Sequence, residues 1–222
     1  MPATTTRSST RHAGLDRDDV IDGALALVEE HGAQALSMRK LAADLGVTTT
    51  TIYWHVGNRD ELILALIQRQ AERQATSEVA GDEPHERVAR AARNIWQNAL
   101  AHRNVTALAS QVGATTLLEL PLEAALAAEL EAAGVRGADA RDALRAILAC
   151  IAGFLVMAWR SNDRMPPALR ADALWDAIRH PGLSDATRAA MSEPVDVQAL
   201  FETALDAVVG AYVPPRTRRS RR

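Results

Sequence analysis

Residues 15–60 repeat one local signal at short intervals, and this repetition constrains the fold more than any other feature of the chain. Residues that accept hydrogen bonds from the first amides of a helix stand at four positions: Asp16, Ser37, Thr48 and Asn58. At the first three, an apolar residue precedes the cap and another follows it by four positions, which is the pattern of a hydrophobic staple. The spacing therefore predicts four helices in close succession.

The second and third of these helices are short and are joined only by Gly46 and Val47. Ala42, one helical turn before the glycine, allows the next helix to approach closely, and Gly46 can adopt the left-handed backbone that a sharp turn needs. Ile52 then points inward from the third helix. This arrangement predicts a helix-turn-helix, in which the third helix enters the major groove of DNA.

The predicted third helix has an apolar side and an unusual outward side. At about 100° per residue, Ile52, His55 and Val56 fall on the side that must be buried, and Thr50 and Trp54 fall opposite. Threonine can hydrogen-bond a base or touch a thymine methyl group, and a neighbouring tyrosine can bind a phosphate. The outward side contains no Arg, Asn or Gln, so it lacks the residues that make strong bidentate base contacts, and no operator sequence is predicted.

Cations surround this helix although the whole chain is acidic. The formal net charge is −3, but four aspartates belong to the first helix, which can face away from DNA. Arg39, Lys40 and Arg59 are placed to contact phosphates, the alternative being that they are only solvated surface charge. The predicted DNA-contacting residues are Arg39, Lys40, Thr48, Thr49, Thr50, Thr51, Tyr53, Trp54, His55 and Arg59.

Helix-forming residues dominate the chain, which contains only two Phe and two Tyr among 222 residues, so the predicted fold class is all-α. Fourteen consecutive apolar residues, Ala146 to Trp159, predict a helix that is buried on every side and too short to span a bilayer. Apolar periodicity beyond residue 83 predicts helices at about 85–102, 104–112, 121–133, 138–160, 167–179, 184–192 and 196–212.

Residues 15–67 resemble the DNA-binding region of the tetracycline-repressor (TetR) family of bacterial transcriptional regulators. The resemblance is carried by S-M-R-K-L-A-x-x-L-G-V from Ser37, then by I-Y-W-H-V from Ile52 and N-R-D-E-L from Asn58. It implies that base and phosphate contacts fall on Arg39, Thr49, Thr50, Thr51, Tyr53, Trp54, His55 and Arg59. Two of these depart from the tetracycline repressors, which have glutamine where this chain has Thr49 and proline where it has Thr50. The fold is therefore expected to carry over, and the base sequence read is not.

The resemblance also implies a homodimer. The apolar run 146–159 and the apolar stripe of the last helix, 196–212, would form a four-helix bundle between two chains, the alternative being that both are the core of a monomer. A dimer has the two-fold symmetry of a palindromic operator, whose half-sites lie about 34 Å apart. The predicted domains are a disordered arm, a helix-turn-helix domain, an effector-binding and dimerisation domain and a disordered basic tail, at residues 1–14, 15–60, 61–212 and 213–222.

These observations predict a cytoplasmic transcriptional repressor that binds double-stranded DNA and is released by a small hydrophobic or aromatic effector. An alternative is a DNA-binding regulator without such an effector, controlled by a protein partner or acting as an activator. The effector-contacting candidates, each of which could instead be an ordinary core or surface residue, are Asn94, Trp96, Gln97, His102, Asn104, Gln111, Phe154, Met157 and Trp159.

Other classes of function find no support in the sequence. The histidines show no metal-ligand spacing, and no nucleophile elbow or phosphate-binding glycine loop is present. The single cysteine, Cys150, excludes a disulfide scaffold and suits a reducing cytosol. We therefore expect no enzyme activity, no cofactor, no metal and no membrane partner.

Overall fold

The computed structural model describes residues 14–74, 81–159 and 171–215. All regular structure in these residues is helical, without a strand, which confirms the predicted all-α class. The helices are α1 (Arg17–His31), α2 (Met38–Leu45), α3 (Thr49–Val56), α4 (Arg59–Gln74), α5 (Pro84–Ala101), α6 (Arg103–Gln111), α7 (Thr115–Ala132), α8 (Gly137–Trp159), α9 (Ala171–Ala177), α10 (Asp185–Ser192) and α11 (Val197–Tyr212), with one 3₁₀ turn at Ala33–Ala35.

The chain divides into two compact units. The first is formed by Met1–Ser77 and Asn98–Leu122, and the second by Glu78–Gln97 and Glu123–Arg222. Helices α4 and α6 therefore lie in the same compact unit as α1, α2 and α3, because the apolar faces of these helices share one core. The predicted functional division at residue 60 follows a different criterion and stays a prediction.

The predicted helix caps of the first unit are all present. The Asp16 carboxylate accepts the amide of Asp19 at 2.8 Å, and the Asp19 carboxylate accepts the amide of Asp16 at 3.0 Å, which completes a capping box. The hydroxyls of Ser37 and Thr48 each accept the amide three residues further on, at 3.1 and 3.2 Å. The Asn58 side chain accepts amides two and three residues further on, at 2.9 and 3.0 Å. These local bonds fix where α1 to α4 begin.

The turn between α2 and α3 depends on the left-handed backbone of Gly46. Its φ of 70° and ψ of 28° let the amide of Val47 return to the carbonyl of Ala42 at 2.9 Å, which closes the end of α2. No atom lies within 4 Å of where a β-carbon on Gly46 would stand. Glycine is therefore favoured at this position by the left-handed backbone, and not by a lack of space for a side chain.

We expect Gly46→Ala to lower the free energy of unfolding by about 1–2 kcal/mol, the cost of the left-handed region for a residue with a β-carbon. Gly46→Asn should cost less, because asparagine tolerates this backbone better than other non-glycine residues. Urea unfolding of both variants, followed by circular dichroism, measures the difference. Equal losses for alanine and asparagine would show that the conformation of residue 46 does not set the stability of the turn.

Ion pairs attach α4 to α1 inside the first unit. The Arg69 guanidinium contacts the carboxylate of Asp18 at 2.5 Å and that of Asp22 at 3.2 Å. Arg73, one turn further along α4, contacts Asp22 at 3.0 Å. The acidic side of α1 is thus partly occupied by the arginines of α4.

The second unit is organised around a buried aromatic cluster. Trp96 on α5, with 1% of its surface exposed, stacks on Phe201 of α11 with ring centroids 4.3 Å apart. Phe154 of α8 meets the edge of Phe201 at 5.6 Å. The Trp96 indole N–H donates to the side-chain oxygen of Gln198 at 3.1 Å, so this buried donor is satisfied. The cluster joins α5, α8 and α11.

Helix α8 is less buried in the single chain than its apolar run predicts. Within the chain it is buried along a single stripe, formed by Ala143, Ile147, Ile151 and Leu155, and not on every side. Its 23 residues have a mean hydropathy of 1.8 over the most apolar window, so by length and composition this helix is long and apolar enough to cross a membrane. Helices at the centre of a bundle have the same properties, and the finding is weak support for a span. Among the residues that the structure describes, Ala152, Gly153 and Val156 of α8 form an exposed apolar face.

Two predicted boundaries are also wrong. Helix α7 begins at Thr115 and not at 121, because Pro121 lies inside the helix and not at its first turn. The helix extends back from the proline because Leu118 is buried in the core of the first unit. Val213, predicted as the first residue of a disordered tail, is 95% buried and caps α11, its amide donating to the Val209 carbonyl at 2.8 Å.

Other predictions fall outside the described residues. The arm of residues 1–14 is described only at Gly14, and the five arginines of the tail lie in residues 216–222. The first part of the predicted helix 167–179 also precedes the described range, in which α9 is Ala171–Ala177.

Candidate nucleic-acid interface

Two apolar residues on the inward side of α3 anchor this helix to the core. Ile52 is fully buried and Val56 is 5% exposed, so the inward side of the helix packs into the core of the first unit. His55, predicted on this same side, is only half-buried and meets the ring of Trp54 edge-on at 4.7 Å. The packing fixes which side of α3 faces outward.

The outward side of α3 presents aromatic and hydroxyl groups to solvent. Trp54 is 81% exposed and Tyr53 is 50% exposed, which is unusual for side chains of this size. Thr50 is exposed beside them, and Thr49 and Thr51 are half-buried at the first turn. The side chains offer hydroxyl donors, hydroxyl acceptors and flat apolar rings along one short helix, as a base-reading surface requires.

Two of the predicted DNA-contacting threonines already bind each other. The hydroxyls of Thr48 and Thr51 lie 2.9 Å apart, and the Thr48 oxygen also accepts the Thr51 amide. Thr48 therefore has a structural function as the cap of α3. Among the threonines, Thr50 is the one that is exposed on α3 itself, since Thr49 and Thr51 are half-buried.

The predicted cations flank α3 with different local partners. The Lys40 ammonium lies 3.2 Å from the Asp44 carboxylate one turn along α2. A surface pair of this kind contributes little to stability. The Arg59 Nε donates to the Leu36 carbonyl at 3.4 Å, which holds the start of α4 near the loop that precedes α2. Arg39 is exposed on α2.

A groove beside α3 is lined by one basic residue, Arg17, that was not among the predicted DNA-contacting residues. It is lined by Arg17 from the start of α1, by His55 and Gly57 from the end of α3, and by Glu61 and Gln68 from α4. The cations predicted to flank the third helix belong to the second and fourth helices alone. No sequence signal could have placed Arg17 here, because the approach of α1 to the end of α3 depends on how the helices cross.

The predicted effector-contacting residues are divided between the two units. In the second unit, Trp96 is core, Asn94, Phe154 and Trp159 are half-buried, and Gln97 and Met157 are exposed; in the first unit lie His102, Asn104 and Gln111. Of the nine, Trp96 and Phe154 are brought together, through Phe201. Effector contact by any of them stays a prediction.

His102 and Asn104 have partners inside the first unit. The His102 Nδ1 lies 2.7 Å from the Glu29 carboxylate, and the Asn104 amide donates to the Glu29 backbone carbonyl at 2.8 Å. His102 precedes the first residue of α6. His102 also directly follows Ala101, the last residue of α5, and its amide donates to the Asn98 carbonyl at 2.9 Å, so it lies at the C-terminus of α5 as well. The side chains of His102 and Asn104 tie the start of α6 to the end of α1.

Two further observations concern metal binding and thiol chemistry. In the described residues no group of three His, Cys, Asp or Glu side chains could hold a metal ion. Burial raises the pKa of the Cys150 thiol, which disfavours the reactive thiolate.

The geometry of α2 and α3, with the Gly46 turn and the buried Ile52, defines a helix-turn-helix domain. The profile of the family described as bacterial regulatory proteins, tetR family, matches residues 20–66. The tetracycline repressor protein of class D from Escherichia coli is 50% identical over 54 residues, which are 24% of this chain and 25% of that protein. The class A protein from transposon 1721, also from Escherichia coli, is 32% identical over 136 residues, 60% of this chain and 61% of that protein.

Solved structures resemble the chain over most of its length. The alignment with the regulator SCO7222, a TetR from Streptomyces coelicolor, spans 91% of this chain and 100% of that protein, with a TM-score of 0.68 and 26% identity. ActR from Streptomyces coelicolor, in complex with actinorhodin, covers 90% of this chain and 97% of its own, with a TM-score of 0.66 and 22% identity. BioQ with its double-stranded DNA operator covers 64% of this chain and 87% of its own, with a TM-score of 0.53 and 29% identity.

Residues 20–66 therefore match the TetR family of bacterial regulatory proteins, and the fold resembles that of a solved TetR regulator over 91% of this chain. The sequence match spans about a quarter of the length of the first curated relatives, so the agreement with them lies in the DNA-binding region.

Proposed function

We propose that the protein is a homodimeric transcriptional repressor that places α3 of each chain in the major groove of a palindromic operator. The observation that carries this proposal is the outward surface of α3, where Tyr53, Trp54 and Thr50 are exposed above the buried Ile52. Base contacts are expected from Thr50 and Trp54, and phosphate contacts from Tyr53, Arg39 and Lys40. BioQ, a neighbour in fold, is known with an operator.

The uncovered apolar faces of the second unit support the homodimer. On α8 the exposed residues include Ala152, Gly153 and Val156, and Val156 is 53% exposed. On α11 the exposed or half-buried residues include Leu200 and Val208, and Leu200 is 43% exposed. Because α8 and α11 pack against each other, pairing these faces with a second copy would bury both in a four-helix bundle. A cytoplasmic location follows for a regulator of this kind.

A small hydrophobic or aromatic effector is proposed for the second unit. Phe154 is half-buried against the Phe201 ring, and Met157, one turn further along α8, is 41% exposed. Flat aromatic ligands pack well against such rings. The complex of ActR with actinorhodin is a precedent in a protein of the same fold.

The contacts inside the first unit provide a means for an effector to alter the DNA-binding surface. Glu29 on α1 is bound by His102 and Asn104 from α6, and Asp22 on α1 is bound by Arg69 from α4. A movement of α4 or α6 would therefore be passed to α1 and to α3 packed on it. By linkage, the factor by which the effector weakens DNA binding equals the factor by which DNA weakens effector binding.

The test is a fluorescence anisotropy titration of the full chain against the promoter region of its own gene, at fixed salt. We expect one dimer to bind one palindrome about a thousandfold or more tighter than scrambled DNA of the same length, as specific sites generally do. Aromatic compounds are then screened for release of the bound operator.

Affinity equal to that for scrambled DNA would contradict binding at this promoter by the free protein. If the protein binds the operator tightly and no aromatic compound releases it, the proposed effector is wrong. The alternative, a regulator controlled by a protein partner, would then be favoured.

A further inference from the structure

His85 lies near the start of α5 in a position where both ring nitrogens are engaged. Its side chain is almost fully buried, with 9% of the residue exposed. The Nδ1 lies 2.7 Å from the backbone carbonyl oxygen of Val213, and the Nε2 lies 2.8 Å from a carboxylate oxygen of Asp206. Val213 caps α11 and Asp206 lies two turns earlier in that helix. One imidazole therefore joins the beginning of α5 to the end of α11.

Both partners of the His85 ring accept hydrogen bonds, and neither can donate one. A carbonyl oxygen has no hydrogen, and an aspartate carboxylate is ionised near neutral pH. A neutral imidazole carries one N–H, so it can satisfy one of these partners, whereas the imidazolium carries two and satisfies both. The observed pair of short distances is the geometry of the charged ring.

The charged groups around His85 come from α5 and α11. Asp206 favours the imidazolium, and Arg93 on α5 opposes it, although the Arg93 guanidinium is itself paired with Glu202 of α11 at 2.6 Å. Burial lowers the pKa of His85, but the hydrogen bonds to Val213 and Asp206 and the charge of Asp206 outweigh burial, so the pKa is raised above its ordinary value of 6.5.

We propose that His85 is a proton-dependent clamp between α5 and the end of α11, tight when the imidazole carries two protons and loosened when it loses one. In the neutral ring, Nδ1–H can still donate to the carbonyl of Val213. The lone pair of Nε2 then faces the carboxylate of Asp206, whose side chain is 68% exposed and can turn towards water. The clamp depends on contacts within one chain and does not require that the protein bind DNA.

The sign of the pH dependence follows from the raised pKa. A group that is more basic in the folded chain than in the unfolded chain stabilises the fold fully below the unfolded value of about 6.5. This contribution is lost as the pH rises through the pKa of the folded state. The end of α11 should therefore become less protected as the pH rises through the raised pKa of His85.

The experiment uses the full chain labelled for nuclear magnetic resonance. The His85 ring signals, assigned by their absence in His85→Gln, should titrate with a midpoint above the ordinary histidine value of about 6.5. The amide of Val213, which donates to Val209, should lose hydrogen-exchange protection over the same pH range, after correction for the intrinsic exchange rate. His180→Gln is the matched control, and it should leave both the midpoint and the protection of Val213 unchanged.

A second variant keeps the test decisive if His85→Gln does not fold. Asp206→Asn retains a side-chain hydrogen-bond acceptor without the charge, so it should lower the titration midpoint of His85 and shift the loss of Val213 protection to lower pH. A His85 midpoint at or below about 6.5, or protection of Val213 that does not follow the His85 titration, would overturn the proposal.

Discussion

Replacing Tyr53 and Thr50 together by alanine should abolish specific operator binding and leave the chain folded. A hydrogen bond to a base contributes about 0.5–1.5 kcal/mol and one to a charged phosphate about 1.5–3 kcal/mol. The dimer loses both contacts in both half-sites. A total loss of about 4 kcal/mol or more corresponds to a weakening of roughly a thousandfold. Both side chains are exposed on α3 and neither belongs to the core, so the unfolding transition should hardly move. Anisotropy titration measures the first effect and urea unfolding the second.

The matched control is Thr116→Ala, which removes an exposed threonine from α7. It should leave operator affinity unchanged. If the double variant kept its affinity for the palindrome within threefold of the parent chain, α3 would not be the element that reads the operator.

Gly153→Arg should convert the dimer to a monomer and, with it, weaken operator binding by orders of magnitude. Gly153 is exposed on α8, and a β-carbon added there meets no atom of its own chain within 4 Å. The substitution is therefore harmless to the single chain, and arginine favours a helix interior more than glycine does. In a close-packed bundle of two chains, an arginine at this position must bury an unpaired charge, which costs several kcal/mol.

Light scattering after size exclusion measures the mass, and anisotropy measures the affinity for the operator. Ala128→Arg, which places the same side chain at an exposed position of α7, is the control and should remain dimeric. A Gly153→Arg variant that stays dimeric and binds the operator normally would refute the proposed pairing through α8.

The features that could be predicted from the sequence are those decided within a few residues. Asp16, Ser37 and Thr48 cap helices because each hydroxyl or carboxylate reaches an amide three residues away. Gly46 ends α2 because its own backbone allows the left-handed conformation. The outward direction of Tyr53 and Trp54 followed from helical periodicity around Ile52.

The features that could not be predicted depend on contacts between distant parts of the chain. His102 binds Glu29, 73 positions away, and His85 binds Val213, 128 positions away. Periodicity describes one helix at a time, so it could not say that α8 buries only the stripe containing Ile147 and Ile151. For the same reason the effector candidates were selected by residue type alone, and the structure distributes them over two units.

The four tryptophans of the chain stand in different surroundings, and this makes the protein its own optical probe. Trp54 is 81% exposed on α3, whereas Trp96 is stacked on Phe201 with 1% exposed. Emission from an indole in water lies at longer wavelength than emission from an indole in a packed interior. A change at the red edge of the spectrum on adding DNA would therefore report on the recognition helix. A change at the blue edge would report on the aromatic cluster of the second unit, without any attached dye.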